Sequence, residues 1–239
     1  MKIALIGYGK MGKMIEQVAL SKGHEISFKI DIDNIGDIDK LTPQNTDIAI
    51  EFTTPHSAYS NVTKCLKRGV NVVCGTTGWN DKLPEARKLA IDNGLALLWT
   101  SNFSIGVNLF FKLNQQLAKL MNGIEDYNPE ITEIHHIHKK DAPSGTAITL
   151  AEGLLENYSD KKEWKLAPEG NNSDLLITAE RTGEVPGTHI IKYDSEVDYI
   201  EITHLAKNRK GLASGAVLAA EFLKGKKGIY GMNDVLGLK

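Results

Sequence analysis

The chain has 239 residues, 41 % hydrophobic and 24 % charged. This is ordinary globular composition, which excludes a disordered chain and a collagen or coiled-coil repeat. Lys plus Arg (28) nearly balances Asp plus Glu (30), leaving a formal net charge of −2, so there is no global basic field for nucleic acid.

The chain is long enough to bury a core without disulfides or a structural metal. Its two cysteines, Cys65 and Cys74, form no disulfide framework and match no zinc spacing. They are expected as free thiols in a reducing compartment. Met1 to Gly7 is a short apolar run without the features of a secretory signal, and no run approaches the ~20 apolar residues of a membrane span. The expectation is a cytoplasmic protein without membrane or nucleic-acid partners.

Lys2-Ile3-Ala4-Leu5-Ile6 reads as a short strand buried on both faces. Gly7 to Gly12 breaks it, and Met11, Met14, Ile15, Val18 and Ala19 then recur at helical spacing up to Gly23. Further strands are predicted over 25–32, 47–52, 70–74 and 95–99, with helices over 57–68 and 84–93 between them. Such β-α alternation implies a parallel sheet with helices on both faces. The rhythm changes near residue 104. A long helix is predicted over 105–121, a strand over 130–138 and a helix over 146–158. After a polar stretch, 159–174, strand-like runs at 175–181, 187–194 and 198–206 suggest an antiparallel or mixed sheet. A helix over 214–224 follows.

Gly7-Tyr8-Gly9-Lys10-Met11-Gly12 fits G-x-G-x-x-G where the motif has mechanical meaning, after a strand and opening a helix. The first glycine allows the tight turn, the second lets backbone approach a pyrophosphate, and the third lets helix and strand pack closely. The helix N-terminus offers N–H groups and a positive dipole end to phosphate. About 20 residues on, an acid is expected to accept the ribose hydroxyls. Asp31 stands 19 residues after Gly12 and Asp33 stands 21 after. No Arg follows either to hold a 2′-phosphate, which favours NADH over NADPH. The turns 52–55, 75–78 and 100–103 lie at carboxyl ends of predicted strands, where ligands of open parallel sheets bind.

His135, His136 and His138 fall in one four-residue window, followed by Lys139, Lys140 and Asp141. Strand alternation puts His136 and His138 on one face and His135 with Glu133 on the other. A metal site would lack both H-E-x-x-H spacing and a cysteine partner. An acid–base site suits the residues better: His donates protons near neutral pH, and Lys anchors an anion. Ser144 is a plausible N-cap for the helix that follows, and Gly145 and Thr146 would present backbone N–H groups to a carboxylate. Together with a nicotinamide site, the cluster points to hydride transfer onto a polarised double bond of a small acidic substrate.

The block Glu133 to Ala147 resembles E-x-H-H-x-x-K-x-D-A-P-S-G-T-A, the signature of the 4-hydroxy-tetrahydrodipicolinate reductase family, also called the dihydrodipicolinate reductases. Gly7 to Gly12, Ile50 to Pro55 (I-D-F-T-x-P, with Glu51 for the usual Asp), Gly75 to Gly78 (G-T-T-G) and Asn102 to Asn108 (N-F-S-x-G-V-N) agree with it. So do Arg181 to His189 (R-x-G-x-x-x-G-x-H), Ile202 to His204 and Gly215-Ala216. The likeness runs from end to end.

The resemblance implies an α/β protein with a Rossmann-type doubly wound parallel sheet plus a second α+β domain with a mixed sheet. Residues 1–104 and 211–239 would form the dinucleotide domain, and 105–210 the substrate and tetramerisation domain. It implies reduction of a cyclic dicarboxylic imine-type substrate by NADH or NADPH, without a metal, in a homotetramer of the lysine and diaminopimelate pathway. Carried over by position, His135 is the acid–base group and Lys139 a proton donor and anion anchor. His136, Ser144, Gly145 and Thr146 bind substrate carboxylates. Gly7, Tyr8, Gly9, Lys10, Met11, Gly12, Asp31, Phe52, Gly75, Thr76, Thr77, Thr100, Ser101, Asn102 and Phe103 bind the dinucleotide. The rival readings are another two-domain nicotinamide reductase of an amino or keto acid, and a non-catalytic NADH-binding sensor.

Overall fold

The structure is a computed structural model that describes residues 1–238. It divides into two compact units, one of residues 1–105 with the chain from Lys210 onward, the other Gly106–Arg209. The sequence reading put the two divisions at 104/105 and 210/211.

The first unit is built on six parallel strands: β1 (Lys2–Ile6), β2 (Glu25–Ile30), β3 (Ile48–Glu51), β4 (Asn71–Cys74), β5 (Ala96–Trp99) and β11 (Gly228–Tyr230). Their order is β11-β5-β4-β3-β1-β2. The alternation of side chains along each strand divides the core in two. Ile3, Leu5, Ile48, Ile50, Val73, Ala96 and Leu98 face one layer, which contains α1 (Lys10–Ser21) and α6 (Lys210–Leu223). Ala4, Ile6, Ala49, Val72, Cys74 and Leu97 face the other, which contains α2 (Pro55–Lys67) and α3 (Leu83–Asp92). The sheet is therefore doubly wound. The connection from β1 runs outward to β2 and that from β3 runs the other way to β4, and ligands of such sheets bind at the carboxyl ends beside the reversal between β1 and β3.

The second unit carries a five-stranded mixed sheet, order β10-β9-β6-β8-β7. Its strands are β6 (Asn128–His135), β7 (Glu163–Leu166), β8 (Asp174–Arg181), β9 (Thr188–Asp194) and β10 (Tyr199–Leu205). β9 runs antiparallel to β6 and β10, whereas β6, β8 and β7 are parallel. One sheet face and the helices α4 (Ile105–Met121) and α5 (Gly145–Leu155) enclose a core that includes Phe110, Ile131, Leu150, Leu154, Ile177, Ile191 and Tyr193.

Four local readings need correction. β2 ends at Ile30, because Asp31 caps a 3-10 helix, Ile32–Lys40, by accepting from Ile32 N at 2.9 Å. β6 ends at His135, where Thr182 N and Ile137 N bond the His135 and Gly183 carbonyls and turn the chain, so His136 and His138 are not strand residues. β7 lies inside the stretch read as merely polar. Finally, β11 and a short helix α7 (Met232–Leu236) follow α6. Among the described residues no helix is long and apolar enough to cross a membrane.

Candidate active site

In the first unit the glycine loop behaves as its pattern requires. Gly7 has φ +90, and a Cβ there would sit 1.9 Å from the Phe52 carbonyl oxygen. A Cβ on Gly12 would sit 2.2 Å from the Gly7 carbonyl oxygen, whereas one on Gly9 would meet nothing within 4 Å. The first and third glycines thus permit packing within the protein. The second faces open space, where a bulky neighbour has room to approach.

That space is a cleft of about 380 Å³ lined by Gly9, Lys10, Met11, Gly12, Phe52, Thr53, Pro55, Gly75, Thr76 and Thr77. The far wall is held firmly. The indole N–H groups of Trp79 and Trp99 both donate to the Thr76 carbonyl, at 2.7 and 2.8 Å, and Thr53 N donates to Thr76 Oγ1 at 2.8 Å. Beneath it lies the fully buried Glu51, which accepts from Thr53 Oγ1 and from Cys74 Sγ. Burial first, and then the Glu51 charge, push the Cys74 thiol well above its usual range, so it stays a neutral donor.

Gly7, Tyr8, Asp31 and residues 100–103 stand outside the lining of the cleft. Asp31 is tied to the glycine loop through Tyr8 N, 3.3 Å from its Oδ2. Tyr8 itself bonds Glu16. Thr100 N donates to the Cys74 carbonyl, Thr100 Oγ1 accepts from Asn102 N, and Asn102 Oδ1 accepts from Ser104 N. Ser101 is exposed on this turn. The Phe103 ring packs against that of Phe52, with centroids 5.5 Å apart. Gly215 of α6 admits the turn, since a Cβ there would sit 1.7 Å from the Phe103 carbonyl oxygen.

In the second unit β6 alternates as expected, with Ile131, Glu133 and His135 on its buried face. Glu133 is completely buried and gathers its neighbours. Its Oε1 accepts from Ser144 N at 3.0 Å and from Arg181 Nη2 at 2.9 Å. Its Oε2 faces His135 Nδ1 at 3.2 Å and His189 Nε2 at 3.9 Å. Burial alone would raise this carboxyl, but hydrogen bonds from His135, Ser144 and Arg181 outweigh it and hold it at about 2. His189, packed edge-on against His135 with centroids 5.2 Å apart, is lowered to about 4 by burial and then by the like charge of His135.

Ser144 caps α5, its Oγ accepting from Ala147 N at 3.2 Å and lying 3.3 Å from His189 Nε2. Its backbone N and its hydroxyl both have partners inside the protein, and the cap fixes the start of the helix at Gly145. Lys139 pairs with Asp141 at 2.9 Å. Burial raises the Asp141 carboxyl, but the Lys139 hydrogen bond and its own backbone bring it below its usual value. His136 sits on the turn beside His138, rings 6.1 Å apart, and His138 faces exposed Glu184. Glu133, Arg181 and His189 received no role from the sequence. Their signal was the R-x-G-x-x-x-G-x-H run and the two-residue spacing of Glu133 and His135.

The comparisons with known proteins point one way. The family model described as dihydrodipicolinate reductase, N-terminus, matches residues 1–103, and that described as its C-terminus matches 106–236. A 4-hydroxy-tetrahydrodipicolinate reductase of Christiangramia forsetii is 50 % identical over 99 % of this chain and 98 % of its own. One from Methanocaldococcus jannaschii is 37 % identical over 91 % of this chain and 84 % of its own. Among solved structures, a dipicolinate-bound dihydrodipicolinate reductase from Paenisporosarcina sp. TG-14 shares the fold at a TM-score of 0.77, with 22 % identity over 96 % of this chain and 97 % of that one. An engineered D-amino acid dehydrogenase bound to NADP+ shares it more distantly, at a TM-score of 0.53 and 12 % identity over 100 % of this chain and 96 % of that one. The chain belongs to the dihydrodipicolinate reductase family, and it is a nicotinamide-dependent oxidoreductase with a Rossmann-type nucleotide-binding domain.

Proposed function

We propose that the protein reduces 4-hydroxy-tetrahydrodipicolinate to tetrahydrodipicolinate in lysine and diaminopimelate biosynthesis, with NADH favoured over NADPH. One observation carries the site assignment. The buried cluster Glu133–His135–His189 is joined through Ser144 to the start of α5, beside Lys139. It sets a proton-exchanging group next to an anion-binding helix start, on a chain 50 % identical to a reductase of that name along its whole length. The dipicolinate named for the structural relative supports a small dicarboxylate as the ligand.

The cleft at Gly9 fits a dinucleotide. At the pyrophosphate it offers open space over Gly9, a helix N-terminus and small residues. Gly9, Lys10, Met11 and Gly12 are its phosphate side, on the loop that Gly7 and Tyr8 begin, with Phe52, Gly75, Thr76 and Thr77 opposite and Thr100 to Phe103 as a further cofactor-binding turn. Asp31, fixed against Tyr8 N, accepts the ribose hydroxyls and repels a 2′-phosphate. When bound, the reduced nicotinamide supplies the hydride.

The chain's own groups hold the substrate and move the proton. The start of α5 at Gly145 and Thr146, together with His136, receives the carboxylates. Lys139 turns from Asp141 toward the bound dianion. His135, whose Nε2 lies against the backbone of Gly187, is the acid–base group, with Lys139 as the second donor. We read the Glu133, His135 and His189 cluster as a hydrogen-bonded proton site and not as a metal centre. The Arg181 cation already sits on the Glu133 carboxylate.

The edge strand β10 leaves Tyr199, Ile200 and Leu205 exposed. An exposed apolar sheet edge is a site of pairing with another chain, which supports a homotetramer assembled through this unit. Both cysteines are free and buried, in keeping with a cytoplasmic enzyme. Replacing His135 or Lys139 by Ala tests the roles: turnover is expected to fall 10²–10⁴-fold for a true general acid. A loss below tenfold in both variants would overturn them.

A further inference from the structure

The donors and acceptors around Glu133 leave few choices. An ionised carboxylate only accepts, and the surrounding hydrogen bonds keep this one ionised down to about pH 2. Oε1 is occupied by Ser144 N and Arg181 Nη2, whereas Oε2 and His135 Nδ1, 3.2 Å apart, are buried and neither has an aligned hydrogen bond to any other group. These two buried atoms satisfy each other only if Nδ1 carries the proton, because two lone pairs facing one another repel. His189 does not compete for it. Its Nε2 stands 3.9 Å from Oε2 but 3.3 Å from Ser144 Oγ, the nearer hydrogen-bond partner. The remaining nitrogen of His135, Nε2, faces Gly187, where the missing Cβ would have stood 3.0 Å away.

We propose that Glu133 is the positioning residue of the reaction. It locks His135 in the Nδ1–H tautomer, so that Nε2 alone exchanges protons, and through Ser144 N the same carboxylate fixes the start of α5. One buried side chain thereby sets the distance between the proton-exchanging nitrogen and the helix start that receives the substrate carboxylate. This rests on the reading of His135 as the acid–base group. It adds the atom, the tautomer and the residue that imposes them.

Glu133→Gln separates these effects. The amide keeps an oxygen for Ser144 N and Arg181 but turns an NH2 toward His135, whose Nδ1 must then accept. Long-range 15N–1H NMR of the imidazoles, with His135 assigned by its loss in His135→Asn, reads the tautomer whether or not the enzyme turns over. The wild-type protein is expected to show Nδ1–H at His135 and the Gln variant Nε2–H. In parallel, kcat of the Gln variant is expected to fall on the order of 10²-fold, while the KM for the nicotinamide cofactor stays within about twofold.

An Nε2–H tautomer at His135 in the wild-type protein would overturn the proposal, and this measurement needs no variant to fold. So would a Gln variant that keeps Nδ1–H or loses less than about threefold in kcat. Failure of the underlying reading looks different: His135→Asn would keep its turnover while the wild-type tautomer came out as expected.

Discussion

Gly187 packs its α-carbon against the imidazole of His135, so that a Cβ on Gly187 would stand 3.0 Å from Nε2. Its φ of +154 is one that side chains rarely adopt. Backbone and ring therefore constrain each other at the nitrogen assigned to proton exchange. Gly187→Ala is expected to tilt the ring by a few tenths of an ångström and to lower kcat by about 10- to 10²-fold, with cofactor KM unchanged. Steady-state kinetics of the purified variant decide it; full activity would mean that the Nε2 face takes no part.

Asp31 both caps the 3-10 helix and holds Tyr8 N, so its charge must be removed without removing its oxygen. Asp31→Asn does this. The ratio of kcat/KM for NADH over NADPH is expected to drop about tenfold, equivalent to ~1.4 kcal/mol, within the range of a partly solvated charge interaction. An unchanged ratio would place cofactor choice elsewhere.

Ser144→Ala removes the hydroxyl that caps α5 and faces His189. The lost cap costs about 1 kcal/mol, which for a chain of this size lowers Tm by roughly 2–4 °C. Substrate KM should rise with it, because the helix start frays where the carboxylate is received. A thermal scan and a KM measurement on one preparation test both halves.

Acid should destabilise the protein in two stages. His189 has its folded value lowered from 6.5 to about 4, chiefly by burial. Between those values the unfolded chain takes up a proton that the folded one refuses, so stability falls as pH drops through that window. Glu133 is lowered from 4.5 to about 2. Its contribution is complete above 4.5 and is lost as pH falls toward 2. His189→Gln is expected to flatten the first stage only, measured by urea unfolding at stepped pH.

Much of the first unit was legible because its strands are buried on both faces and its glycines punctuate them. The run 2–6 and the loop 7–12 can be read with no knowledge of what packs on them. The Ser144 cap was legible for the same reason, being a local arrangement. β7 was hidden because an edge strand of one exposed and three half-buried residues carries no apolar run. The end of β6 was misplaced because His136, Ile137 and His138 continue the alternation on paper. What ends the strand is pairing with Thr182 and Gly183, more than 40 residues away. Glu133 was the largest omission. An acid is rarely buried unless paired, and its partners Arg181 and His189 come from β8 and β9, contacts that no local pattern reveals.

The most direct test generates the substrate in place from aspartate semialdehyde and pyruvate with the upstream synthase. Oxidation of NADH and NADPH is then followed in parallel at the reduced-nicotinamide absorbance band. Rapid oxidation that depends on the synthase, faster with NADH and abolished in His135→Ala, is the expected result. No oxidation of either cofactor by folded protein that still binds NADH would contradict it, leaving the nucleotide cleft standing and the assigned reaction without support.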